Sequence, residues 1–221
     1  MRRIISILSI LLLFAVPNVN ASEIKDIENH WAKESIEAEI KNGVIDGYKD
    51  NTFKPEKEIT IAEYLKMVIK SGKYILVKEG ASLWPDYYIS TAKSNGLVLE
   101  NEFEDYNKKI TRNEIARITA RYINVNNIEK GKNIFDDLDS EYKSDILRLV
   151  KLGVINGYAN SKYKGEKNVT RAEAITIIRR ATSVRKRLIS SRKYNIDECI
   201  KLTNIKKDAN VNGVFEKTRY E

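Results

Sequence analysis

One short pattern recurs three times, and it constrains this chain more than any other feature. Ile59-Thr60-Ile61-Ala62-Glu63, Ile110-Thr111-Arg112-Asn113-Glu114 and Val169-Thr170-Arg171-Ala172-Glu173 each carry an apolar residue, a threonine and, three positions later, a glutamate. A second element lies upstream of each copy. Asn42-Gly43-Val44-Ile45, Asn95-Gly96-Leu97-Val98 and Leu152-Gly153-Val154-Ile155 share a glycine followed by two bulky apolar residues, 17, 15 and 17 residues before the threonine. Trp31 and Trp84 sit 12 residues ahead of their glycines, and Tyr142 sits 11 ahead of its own. Two elements recurring in register mark an internal repeat. The copies span 24–72, 82–124 and 134–182.

Each copy reads as helix, loop, helix. Trp31, Ala32, Ile36 and Ile40 form one apolar stripe. Gly43 follows it, where a left-handed C-cap is expected. Asp46 to Phe53 is rich in turn formers. The second helix starts at the threonine. Thr60 with Glu63, Thr111 with Glu114 and Thr170 with Glu173 have capping-box spacing, in which hydroxyl and carboxylate each accept a backbone N–H. Apolar residues follow at helical spacing, as in Leu65, Val68 and Ile69. A repeat this small cannot bury its stripe alone, but three together can. The expected fold is all-α, with the second helices around a shared centre and the loops outside.

The N-terminus points to export. Arg2 and Arg3 precede an apolar run from Ile4 to Val16, and Val19-Asn20-Ala21 resembles a cleavage site, so residues 1–21 read as a signal peptide. The run is short of the ~20 residues that span a bilayer, and no later stretch is long and apolar enough to do so. Cys199 is the single cysteine, so no disulfide can form within the chain. The net charge of +8 is concentrated in the tail at 183–221, where ten Lys or Arg face five Asp or Glu. A basic tail suits an anionic neighbour such as a wall polymer, or is simply solvated. Val184 to Ile189 is placed to prolong the last helix.

Candidate ligand contacts come from the first helical positions and the aromatics. Arg112 and Arg171 follow their capping threonines, where the helix dipole disfavours a cation. A guanidinium beside free backbone N–H groups there would suit a carboxylate or phosphate. Trp31, Trp84, Tyr48, Tyr158, Phe53 and Tyr163 could stack on sugars. The stripe position of Trp31 and Trp84 favours a core role, and Tyr48 and Tyr158, on Gly-Tyr loops, admit both readings.

The combined pattern resembles the S-layer homology domain. The residues that carry it are His30-Trp31-Ala32, Gly43-Val44-Ile45-Asp46-Gly47-Tyr48, Phe53-Lys54-Pro55 and Thr170-Arg171-Ala172-Glu173. The resemblance implies a three-pronged pseudo-trimer around a central helical bundle, at the cell wall of a Gram-positive type of cell in the S-layer region. It implies grooves that bind a secondary cell-wall polysaccharide through a pyruvylated sugar, contacted by Arg171 and Arg112, with Gly47, Asn156 and Gly157 beside the stacking aromatics. The copies are uneven. Ile61 replaces the arginine in the first, and Leu99-Glu100-Asn101 replaces the Gly-Tyr loop in the second. Only the third is close to complete, so one strong and one weaker site are expected. Arg171→Ala is expected to weaken binding more than Arg112→Ala, with little change in melting temperature.

No enzyme motif emerges. His30 is the single histidine and abuts a helix start, where capping or packing suits it. Asp136, Asp137 and Asp139 lack the glycine-centred loop of a calcium site and read as the start of the third copy. No cofactor is implied, and export with a tail-borne charge argues against nucleic acid. The competing reading is a degenerate module that acts as an extracellular scaffold for another surface protein.

Overall fold

The computed structural model describes residues 24–77, 83–158 and 160–202, with side chains to 191. The expected signal peptide and the end of the tail lie outside the described residues. The fold is all-α. After a single 3-10 turn (Lys25–Ile27) come α1 (Lys33–Lys41), α2 (Ile61–Gly72), α3 (Asp86–Ser94), α4 (Arg112–Ile123), α5 (Lys143–Lys151) and α6 (Arg171–Leu202), and no strand occurs among the described residues.

The first helix of each pair is nine residues long. Each stops ahead of Gly43, Gly96 or Gly153, at φ 69°, 64° and 70°. Nothing lies within 4 Å of a Cβ added at any of the three, so glycine is needed there for its backbone alone. The second helices start at capping boxes. The Thr60 and Thr111 hydroxyls accept from the Glu63 and Glu114 N–H, and the carboxylates accept in return. Thr170 and Glu173 make the same pair of bonds at 3.2 and 3.0 Å.

The caps also explain the apolar residue before each threonine. Ile59 N–H donates to the Val169 carbonyl at 3.1 Å, Val169 N–H to Ile110 at 3.0 Å, and Ile110 N–H to Ile59 at 3.0 Å. Three extended residues thus close a ring of hydrogen bonds about a pseudo-threefold axis, with all three side chains fully buried. Below the ring, α2, α4 and α6 pack on one another through Leu65, Val68, Ile115, Ile118, Ile175 and Ile178. Two hydroxyl links cross this core. Tyr64 meets Thr119 at 2.6 Å, and Tyr122 meets Thr182 at 3.0 Å.

Each second helix packs on the first helix of the following pair, α2 on α3, α4 on α5 and α6 on α1, as well as on the other second helices. The pairs are therefore not self-contained, because each lends its apolar face to its neighbour. The last helix also runs straight through the boundary at 182. Val184 is buried, Leu188 packs on the core, and Arg185 lies 5.1 Å from the Tyr122 ring centre.

Candidate functional site

The helix starts are not open to an anion. Arg171 and Ala172 donate their N–H groups to the carbonyls of Lys57 and Pro55, at 2.9 and 3.0 Å. Arg112 and Asn113 do so to Lys167 and Gly165, and Ile61 and Ala62 to Lys108 and Tyr106. The free donors expected beside the arginines are thus already satisfied. A helix end buried at an interface needs partners for its first donors, and here the loop of the next pair supplies them.

The arginines tie the same interfaces. Arg171 donates from Nε to the Phe53 carbonyl at 2.9 Å and from Nη2 to that of Asp46 at 3.1 Å. Its guanidinium carbon lies 4.9 Å from the Tyr48 ring centre and 4.4 Å from that of Phe53. Arg112 repeats this with the third pair, donating to Tyr163 at 2.9 Å and Asn156 at 2.6 Å between the Tyr158 and Tyr163 rings. Each side chain is only 7% exposed. Burial pushes the Arg171 pKa down, against the pull of Tyr48 and Glu63. The Nη1 edge of each guanidinium has no partner among the described residues.

The order of these joints changes how the uneven copies read. Arg171 of the third pair clamps the loop of the first, and Arg112 of the second clamps the loop of the third. Ile61 of the first, fully buried, abuts the loop of the second. The missing arginine and the missing Gly-Tyr therefore meet at a single interface. The molecule thus has two arginine joints with matching parts and a third joint built on Ile61.

The glycines and loop tyrosines are built into these joints. A Cβ on Gly157 would lie 2.0 Å from the Phe135 ring, and one on Gly47 would lie 3.1 Å from Ile24. Both glycines make room for packing beneath the loop. Tyr48 is half-buried, with Lys54 4.4 Å and Lys57 5.5 Å from its ring centre. Tyr158 has Lys164 at 4.9 Å and Lys167 at 5.2 Å. Sequence reasoning missed what pins the loops. Asp26 accepts from the N–H groups of Phe53 and Lys54 at 2.7 and 2.8 Å, and Asp137 from those of Tyr163 and Lys164 at 2.7 and 3.0 Å. The signal was present, since each aspartate lies five residues before Trp31 or Tyr142.

The tryptophans are not core residues. Trp31 is 63% exposed and Trp84 47%. The helices begin at Lys33 and Asp86, so both rings precede the helical stripe, which Ile36 and Tyr88 carry instead. Trp84 stands just ahead of α3 with Lys66 Nζ of α2 5.5 Å from its ring centre. Burial, followed by the nearby Lys70, lowers the Lys66 pKa, and Lys66 makes no ion pair among the described residues. This surface thus offers an exposed indole beside an ammonium without an ion pair among the described residues.

The remaining candidates are structural. His30 Nδ1 accepts from the Ala32 N–H at 3.1 Å, and its Nε2 meets Glu56 at 2.8 Å. Among the described residues no group of three His, Cys, Asp or Glu is placed to hold a metal, and no helix is long and apolar enough to cross a membrane. The Cys199 side chain lies outside the described residues.

Comparison with known proteins finds the S-layer homology domain at residues 23–65 and 134–175. The chain is 30% identical over 171 residues, 69% of its length, to an amylopullulanase of Thermoanaerobacterium thermosulfurigenes, of which this is 9%. It is 29% identical over 163 residues, 67% of its length, to an S-layer protein of Bacillus licheniformis, covering 18% of that protein. It is 42% identical over 50 residues, 23% of its length, to a cellulosome-anchoring protein of Acetivibrio thermocellus, covering 11% of it. The chain spans less than a fifth of each of these relatives.

Proposed function

We propose that this chain is a non-catalytic cell-surface anchor, that its three helical pairs are three S-layer homology repeats, and that it docks onto an anionic secondary cell-wall polysaccharide, with a pyruvylated sugar as the recognised group. The observation that carries this reading is the exposed Trp84 ring with Lys66 Nζ 5.5 Å from its centre. An exposed indole presents an apolar face to a sugar ring. An acidic substituent on that sugar would supply the counter-charge that Lys66 lacks among the described residues. Arg171 adds its open Nη1 edge from the adjoining joint, and Arg112 offers the same edge at the joint with Tyr158 and Tyr163. Tyr48, Tyr158, Gly47, Gly157 and Asn156 shape these joints, and they act on the ligand by holding the loops in place. Relatives named for the S-layer and for anchoring support the surface location, as does the secretory grammar of the first 21 residues.

The test is sedimentation with purified cell walls. The full mature chain is expected to co-sediment with intact walls and to remain in solution once the pyruvyl-carrying polymer has been extracted. Equal binding to extracted walls would overturn the proposal and favour the scaffold reading, in which the partner is another surface protein.

A further inference from the structure

A polar cavity opens where α1, the C-cap of α5 and α6 meet. It has a volume of about 300 Å³, and Ser35, Gly153, Arg179, Arg180, Ser183 and Arg187 line it. Arg180, Ser183 and Arg187 lie three and four residues apart on α6, so they share one face of the helix. The one carboxylate on the rim, Glu34, is already engaged by Arg179 at 2.7 Å. Arg180 and Arg187 are exposed and make no ion pair among the described residues.

Comparison around the pseudo-threefold axis sets Arg180 apart from its counterparts. Ten residues after each capping threonine stands a cation: Lys70, Arg121 and Arg180. Lys70 is neutralised by Asp46 at 3.7 Å, and Arg121 by Glu102 at 2.6 Å. In the third pair Asn156 occupies the place of Asp46, three residues after its glycine, and the carboxylate is gone. Arg187 then adds a second guanidinium from the part of α6 that has no counterpart in α2 or α4. Two of the hydroxyls are already spent as donors, since Ser183 Oγ donates to the Arg179 carbonyl and Thr176 Oγ1 to that of Ala172, while Ser35 Oγ accepts from Arg179 at 3.4 Å. Among the described residues the charged groups of the lining are the guanidiniums of Arg179, Arg180 and Arg187 and the engaged Glu34 carboxylate. A lining of that kind suits an oxyanion with several acceptor atoms and a formal charge, and does not suit a neutral sugar.

We propose that this cavity is a phosphate-binding site for a phosphodiester-bearing polymer, separate from the Trp84–Lys66 pair. Two guanidiniums on one helix face can hold two oxygens of one phosphate, or two neighbouring phosphates along a chain. The site does not depend on the anchoring proposal above, since it uses neither Trp84 nor Lys66.

The experiment titrates the full mature chain with poly(glycerol phosphate), with inorganic phosphate and with phosphatidylglycerol vesicles, using wild type, R180Q/R187Q and W84A. Wild type and W84A are expected to bind poly(glycerol phosphate) saturably. R180Q/R187Q, with both changes at exposed positions, is expected to bind it at least tenfold more weakly while still co-sedimenting with intact walls. Inorganic phosphate should compete. Unchanged polymer binding by R180Q/R187Q would overturn the proposal. So would Arg-dependent binding to vesicles with none to the polymer, which would assign the site to a membrane surface. Loss of wall binding by W84A with polymer binding retained would support both sites, and failure of the pyruvyl test alone would leave this one standing.

Discussion

The Arg171 guanidinium and the Phe53 carbonyl are 118 residues apart in the chain and 2.9 Å apart in space. This bond and its partner to Asp46 join the last helical pair to the first, so the molecule closes on itself. Arg112 makes the equivalent closure between the second and third pairs.

The closure alters the expected effect of removing these arginines. Arg171→Ala leaves two carbonyls without their charged donor and removes a cation from between two rings. Such losses cost about 3 kcal/mol together. At roughly 2–4 °C per kcal/mol for a domain of this size, the melting temperature should fall by about 6–12 °C. Arg112→Ala should fall by a similar amount, and lysine should not rescue either site, since one ammonium cannot reproduce the planar fork. Thermal melts decide this. A fall of under 1 °C would show that the clamps contribute little.

The tryptophans should behave in the opposite way. Trp84 and Trp31 are exposed, so alanine at either position should leave the melt within about 2 °C of wild type, the usual range for surface changes. Trp84→Ala should nonetheless lower wall co-sedimentation about tenfold or more. Lys66→Met should lower it without destabilising the fold, because burial already disfavours the charged form. Retained binding in both variants would remove Trp84 and Lys66 from the site.

The contrast between arginine and tryptophan shows what the sequence could convey. Capping boxes, left-handed glycines and apolar spacing are local, and the three helical pairs follow from them. The cyclic order of the pairs is not local. Nothing near Arg171 indicates that its partner loop begins at Asp46, so its position at a helix start reads as an open anion site. The same gap makes Ile61 and Leu99 look like independent losses. Trp31 misled for a different reason. It keeps the spacing of the stripe but falls two residues before the helix starts at Lys33, and that boundary decides whether its side chain faces the core.

Gly157 tests the packing beneath the loop. An added Cβ would lie 2.0 Å from Phe135 and 2.9 Å from the Lys162 carbonyl. The second contact is with backbone, so rotating the ring does not relieve it. Gly157→Ala should cost about 1–3 kcal/mol, the usual range for overpacking. Gly43→Ala meets no such crowding and should cost only the strain of a left-handed backbone, about 1 kcal/mol. Urea denaturation of the two variants should rank them in that order, and the reverse ranking would show that the loop moves aside.

Glu39 gives the molecule a pH dependence of definite sign. Its side chain is buried on α1, with Asn42 donating to it at 3.3 Å and with Arg179 and Lys186 nearby. Burial raises its pKa, and the hydrogen bond and the two cations only partly offset that. A carboxyl whose pKa is higher in the folded state binds its proton more tightly there than in the unfolded chain. Its contribution is therefore fully present below the unfolded value of about 4.3 and is lost as pH rises through the folded value. Glu39→Gln keeps an acceptor for Asn42 and has no charge to bury. The variant should melt above wild type at pH 7, and the difference should vanish below about pH 4, where both side chains are neutral. Melting curves between these limits would locate the crossover. A variant that melts below wild type at pH 7 would show that attraction to Arg179 and Lys186 outweighs the cost of burial.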